Sequence, residues 1–210
     1  MFSIDGKLFK TLTKMGDFLI LGFLMVLFSL PVITLGGALT AAYYVALKLV
    51  RDEEGYVWHD FIKSFKMNFK QGFFIELILG AFGLFIFEDI RICMYWMNNG
   101  SNLAVFLMYA FFGLALVLVA VVLYVFALLA KFDNTVMETL KNALVLSMHH
   151  LGQTFVMLLA TVILIVVTVK YFTAAILTVP ICLYVNSYIL ARVLKIYATP
   201  KTDETEEPEE

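Results

Sequence analysis

The side chains able to do chemistry in this chain are few, and their spacing does not favour it. His149 and His150 form the one histidine pair, followed by Gln153. Adjacent residues on a helix point in different directions, so one metal ion rarely takes both, and a metal site needs further ligands at defined positions. The pair therefore reads as interfacial polar residues, as does His59 beside Trp58. Cys93 and Cys182 fall in separate apolar segments, the setting of buried free thiols and not of a disulfide framework. The chain has no paired nucleophile and base, no Gly-rich phosphate loop and no metal-ligand constellation. The expectation is a protein that is not an enzyme, with no catalytic residue, cofactor or metal.

Two groups of polar residues deserve weighing as a binding or transport site. Glu76 enters an apolar segment one turn beyond Lys70-Gln-Gly72. Ionisable residues deep in a membrane span are costly and usually functional, whereas a carboxylate at a helix start is favoured by the dipole and reaches water. The position near the boundary favours the second reading. Glu88, Asp89 and Arg91 read as the far boundary of the same segment, with a local ion pair. Thr34, Thr40, Tyr43, Tyr44, Asn186 and Tyr188 lie near Pro31 and Pro180, where a helix break would free backbone groups and make a small polar cavity. Thr161 and Thr168 are further mid-segment polar residues, and packing between helices is the default for all of them.

The elements that must position these residues are set by composition. Hydrophobic residues make up 62 % of the 210 positions and charged residues 15 %, against about 25 % charged in soluble domains. The mean hydropathy is +0.91. This is the composition of an all-α polytopic transmembrane helical bundle, with residues 1–198 forming a single integral membrane domain. Residues 199–210 are acidic, contain Pro208 and lack an apolar face, so they read as a disordered tail.

Phe18 to Val50 is too long for one crossing, since about 20 residues span about 30 Å of hydrocarbon. Pro31, Gly36 and Gly37 predict a Pro/Gly-broken pair of helices joined near Leu35 to Gly37. The N-terminal Lys7, Lys10 and Lys14 resemble a signal-peptide start, but the apolar stretch is longer than a usual h-region and is interrupted, which predicts retention. Further segments are expected at Phe73 to Phe87 or Trp96, Leu103 to Ala130, Phe155 to Val169 and Phe172 to Leu194, giving about six.

Two amphipathic helices at the interface complete the pattern. In Tyr56 to Gln71, Trp58, Phe61, Phe65 and Phe69 recur at helical spacing while Lys63, Lys66 and Lys70 take other faces, which predicts rings at the acyl boundary and lysines among headgroups. The second is capped by Asp133-Asn-Thr135, with Val136, Leu140, Leu144 and Met148 at helical spacing beside Glu138 and Lys141. If Phe18 to Val50 crosses twice, thirteen of the fifteen Lys and Arg share a side and only Arg91 and Lys170 oppose them; one crossing would give ten against five. Basic residues in short loops stay in the cytoplasm, so both termini are expected there, in a multi-pass protein of the cell membrane. The same requirement explains the basic residues without nucleic-acid binding.

Leu30-Pro-Val-Ile-Thr34 running into Gly37-Ala-Leu-Thr-Ala-Ala-Tyr-Tyr44, with Arg51-Asp-Glu-Glu54, Phe65-Lys-Met-Asn-Phe-Lys-Gln71 and Leu140-Lys-Asn-Ala-Leu144, resembles the YesL-like family of bacterial integral membrane proteins of unknown function. The resemblance implies a multipass protein, often encoded beside sugar-uptake transporters and polysaccharide-degrading enzymes, and it carries over no catalytic residue. The expectation is an accessory or regulatory component associated with carbohydrate uptake or utilisation, whose partners are the lipid bilayer and a sugar-transport complex. The alternative is a small-solute transporter or channel with its site at the Pro31 and Pro180 breaks.

Overall fold

The computed structural model of the chain describes residues 7–53, 55–98, 102–171 and 175–197. The expected disordered tail at 199–210 lies outside them. Every regular element among the described residues is helical: α1 (Lys7–Phe28), a 3-10 turn (Val32–Thr34), α2 (Leu35–Val50), α3 (Val57–Asn98), α4 (Asn102–Lys131), α5 (Val136–His149), α6 (Leu151–Lys170) and α7 (Ala175–Tyr197). Among the described residues, four stretches are long and apolar enough to cross a membrane: Val32–Val50, Asn102–Lys131, Leu151–Lys170 and Thr178–Tyr197.

Helices α1 and α2 form an antiparallel hairpin, because Lys14 near the start of α1 pairs with Asp52, just past the end of α2, at 3.1 Å. The reversal occupies Ser29 to Thr34, not Leu35 to Gly37. Pro31 precedes the 3-10 turn in an extended conformation, and Thr34 Oγ1 donates to the Phe28 and Pro31 carbonyls, satisfying acceptors that the end of α1 leaves free. Gly36 and Gly37 lie inside the first turn of α2 and serve packing, as shown below.

The amphipathic stretch at 56–71 is likewise not a separate surface helix. It is the first part of α3, one uninterrupted helix of 42 residues, which at 1.5 Å per residue is about 63 Å long, roughly twice the hydrocarbon thickness. The Phe61, Phe65 and Phe69 rings of its aromatic face pack on protein, while Trp58 is exposed. Phe61 is fully buried, Phe28 of α1 meets Phe61 and Phe65 edge-on at 5.3 and 5.1 Å, and Phe69 adjoins Phe65 at 5.4 Å.

Helix α5 begins where expected. Thr135 and Glu138 form a reciprocal capping box, in which Thr135 N and Oγ1 donate to Glu138 Oε2 at 2.9 and 2.8 Å and Glu138 N donates back to Thr135 Oγ1. The backbone and hydroxyl donors of Thr135 hold the Glu138 carboxyl below the usual carboxylate range. Helix α5 ends at His149, and His150 separates it from α6.

The core gathers around α2, whose small residues Gly36, Gly37, Ala38, Thr40, Ala41, Ala42 and Ala46 are all buried. Small residues let backbones approach, which is how membrane helices gain packing energy when lipid is as apolar as the partner helix. Against α2 lie α3, α7 and the Ala120 to Leu129 part of α4.

Candidate functional site

Of the six residues considered for a polar cavity, the structure brings Tyr43 and Asn186 together. Both are buried and both line a cavity of about 330 Å³ bounded by α1, α2, α4, α6 and α7. Asn186 Nδ2 donates to Thr161 Oγ1 at 3.2 Å and approaches Cys182 Sγ at 3.5 Å. At the far end of the same cavity Thr168 and Thr178 hydroxyls pair at 2.6 Å. The remaining wall is aliphatic and aromatic, including Leu39, Phe126 and Leu183.

The other four candidates sit elsewhere. Thr34 caps the α1–α2 reversal, and Thr40 bonds back to the Gly36 carbonyl at 2.8 Å within its own helix. Tyr44 faces a smaller pocket of about 220 Å³ with Lys63, Ser64, Asn68 and Lys131. Tyr188 is exposed, and the Arg192 guanidinium lies over its ring at 4.5 Å. Pro180 does not break α7, which runs through it; the ring instead fills the space over Gly22 of α1, where an added Cβ would lie 2.4 Å from Pro180 Cγ.

Glu76 has a specific partner. Its Oε2 accepts the Gly36 N–H at 2.9 Å, so a carboxylate from α3 caps the start of α2, where backbone donors lack partners and the helix dipole favours negative charge. The two helices touch at a glycine pair: a Cβ on Gly36 would lie 2.3 Å from the Gly72 carbonyl oxygen, and one on Gly37 would meet the rings of Phe65 and Phe69 at 3.2 Å. Glu76 was expected at the start of its own helix, but it lies inside α3 and the helix it caps is α2. The N-cap residue of α2, Thr34, gives its hydroxyl to the Phe28 and Pro31 carbonyls and leaves the Gly36 amide to Glu76, a substitution no local sequence pattern shows. Residues 18–90 match the family model described as "Protein of unknown function, DUF624". That is consistent with the resemblance to YesL-like membrane proteins, and the matched segment contains the α1–α2 reversal, the Gly36–Gly72 contact and the Glu76 cap. No curated protein and no solved structure matches the chain.

At the opposite end of α2, Lys48 Nζ meets Asp60 Oδ2 of α3 at 2.6 Å, with both side chains mostly buried, and Arg51 pairs with Glu53. Asp52 takes a left-handed conformation, φ 57°, which Asp tolerates better than most residues and which ends the helix tightly. Lys131 ties α4 to α7 by donating to the Leu194 carbonyl at 2.8 Å. Trp58 is 59 % exposed, and Lys63, Lys66 and Lys70 are exposed on the face of α3 turned away from the Phe61, Phe65 and Phe69 rings.

The histidine pair meets one tyrosine. Tyr197 Oη lies 3.1 Å from His150 Nε2 and 3.5 Å from His149 Nδ1, an exposed contact between the α5–α6 junction and the end of α7. Among the described residues no group of three His, Cys, Asp or Glu could hold a metal ion. Cys93 and Cys182 are free thiols, and Glu88 and Arg91 form the expected local pair at 2.9 Å.

Proposed function

We propose that this chain crosses the cell membrane six times with both termini in the cytoplasm, and that it serves as a non-enzymatic accessory or regulatory component of a membrane complex. The two crossings beyond the four apolar stretches are α1 (Lys7–Phe28) and α3 (Val57–Asn98), and the Lys48–Asp60 and Gly36–Gly72 contacts set residues 60–72 of α3 alongside α2. Support comes from the thirteen-to-two division of basic residues. Reporter fusions after Lys14 and after Arg51 should both read cytoplasmic. Opposite readings would mean a single crossing between them and would overturn the six-segment arrangement.

The observation that carries the accessory reading is the outer face of α3. Phe61, Phe65 and Phe69 anchor the helix to α1 and α2, so Lys63, Lys66 and Lys70 stand on a rigid ridge on its other face. A rigid basic ridge suits an acidic partner surface. The choice of a carbohydrate-uptake complex as that partner rests on the family resemblance alone. Reversing charge at Lys63, Lys66 and Lys70 should abolish co-isolation of a transport complex from membranes in mild detergent while leaving the protein folded and membrane-inserted. Saturable uptake of a sugar by liposomes holding the purified protein alone would overturn this reading. It would favour the alternative, a small-solute transporter, for which the specific support is the Tyr43 and Asn186 cavity.

A further inference from the structure

We infer that the pocket among α2, α3 and the end of α4 is a binding site for a phosphate group carrying a short hydroxylated stem. Tyr44, Lys63, Asn68, Lys131 and Asp133 line it, and its accessible wall is more polar than apolar. Two ammonium groups thus share one concavity, and among the described residues neither forms an ion pair with a carboxylate. The other cations at this end are neutralised: Lys48, over the Tyr44 ring at 5.6 Å, pairs with Asp60, and Arg51 pairs with Glu53. Lys131 is half-buried and held by the one N–H it donates to the Leu194 carbonyl at 2.8 Å, which leaves two N–H donors of its ammonium for a ligand. A lysine acts on phosphate as a point charge with rotatable donors, so two of them suit that group without the fork geometry a carboxylate takes from arginine.

The rest of the lining sets the ligand class. Lys63 and Lys131 against Asp133 leave the pocket with a net positive charge, which favours an anion. The Asn68 amide nitrogen donates to the Ser64 carbonyl and hydroxyl at 3.1 and 3.3 Å, so its oxygen is the group it has left to offer. That oxygen and the Asp133 carboxylate are acceptors beside the lysine donors. A bare phosphate satisfies the donors alone, whereas hydroxyls on a stem also satisfy the acceptors. The pocket volume of about 220 Å³ would hold roughly seven water-sized groups of about 30 Å³ each. That is room for a phosphate with a glycerol-sized stem and too little for a nucleotide. Such a group comes from two sources, a soluble phosphate ester or the headgroup of a glycerol-bearing phospholipid.

The test is calorimetric titration of the full-length protein in phosphatidylcholine nanodiscs with glycerol 3-phosphate, inorganic phosphate and glycerol. The ester should bind saturably, more tightly than inorganic phosphate, and glycerol should not bind. Lys63→Gln and Lys131→Gln should each weaken the ester by at least about tenfold, as expected for the loss of one charge-assisted hydrogen bond. Lys66→Gln, on the same helix and outside the pocket, should leave it unchanged. Lys63 is exposed, so its variant decides the matter if Lys131→Gln does not fold. Repeating the titration with phosphatidylglycerol in the nanodisc separates the sources: loss of ester binding assigns the pocket to the lipid headgroup, and unchanged binding assigns it to the soluble ester. No saturable binding of the ester in phosphatidylcholine, equal binding of inorganic phosphate, unchanged affinity in a folded Lys63 or Lys131 variant, or an equal loss in Lys66→Gln would each overturn the assignment. The pocket shares Lys63 alone with the basic ridge of α3. Loss of a partner on reversing Lys66 and Lys70, and loss of the ester in Lys131→Gln, are therefore separate results.

Discussion

Replacing Gly36 by alanine should destabilise the protein by about 2–3 kcal/mol, the upper part of the range for overpacking a well-packed contact. The new Cβ would lie 2.3 Å from the Gly72 carbonyl oxygen, 2.8 Å from its carbon and 3.1 Å from Glu76 Cβ. Two of these three atoms are backbone, so no rotamer change relieves the clash and α2 must move away from α3. The reciprocal Gly72→Ala meets the backbone of Gly36 and Gly37 at 2.9–3.0 Å and should also destabilise. Gly80, Gly113 and Gly152 have nothing within 4 Å of an added Cβ; alanine there should be neutral or stabilising by up to about 1 kcal/mol, the helix-propensity gain. Thermal midpoints of the purified variants in one mild detergent read the contrast. If Gly36→Ala melts with Gly113→Ala, the close α2–α3 contact is wrong.

Glu76→Leu should cost about 1–3 kcal/mol, because it leaves the Gly36 N–H without an acceptor inside the α2–α3 contact. Glu76→Gln keeps a carbonyl acceptor at the same reach and loses the charge that favours the start of α2, so it should fall between wild type and Glu76→Leu. This ordering separates a cap from a proton carrier. A cap predicts that unfolding by denaturing detergent tracks the acceptor, with hydrogen exchange at the Gly36 amide accelerated most in the leucine variant. Wild-type stability and exchange in Glu76→Leu would eliminate the cap.

The two variants probe one construction from opposite sides. Glycines set how near α2 and α3 approach, and that approach is what brings the Glu76 carboxylate to the Gly36 amide. At the other end Lys48 and Asp60 close the same pair of helices at 2.6 Å. The hairpin of α1 and α2 is thus held to α3 at both ends, and the aromatic contacts of Phe28, Phe61, Phe65 and Phe69 fill the space between.

What the amino-acid sequence determined by itself was whatever depends on local composition and period. The helical class follows from the long apolar runs, the start of α5 from the Thr135 and Glu138 spacing, and the ion pair of Glu88 and Arg91 from three-residue separation on a helix. The position of the first reversal was only approximately readable, because Pro31 and the Gly36-Gly37 pair are both helix-breaking types and only packing shows that the glycines serve a contact. Tertiary structure alone decided which residues meet: Gly36 with Gly72, Glu76 with the Gly36 amide, Lys48 with Asp60, and Asn186 with Thr161. It also decided that Phe61, Phe65 and Phe69 face protein. The physical reason is that amphipathic period sorts an apolar core from water, whereas in a bilayer both environments are apolar. Helix α2, with ten of its sixteen residues buried, and α6, mostly exposed, are both strongly apolar, and what separates them is the run of Gly and Ala that lets other helices close on α2.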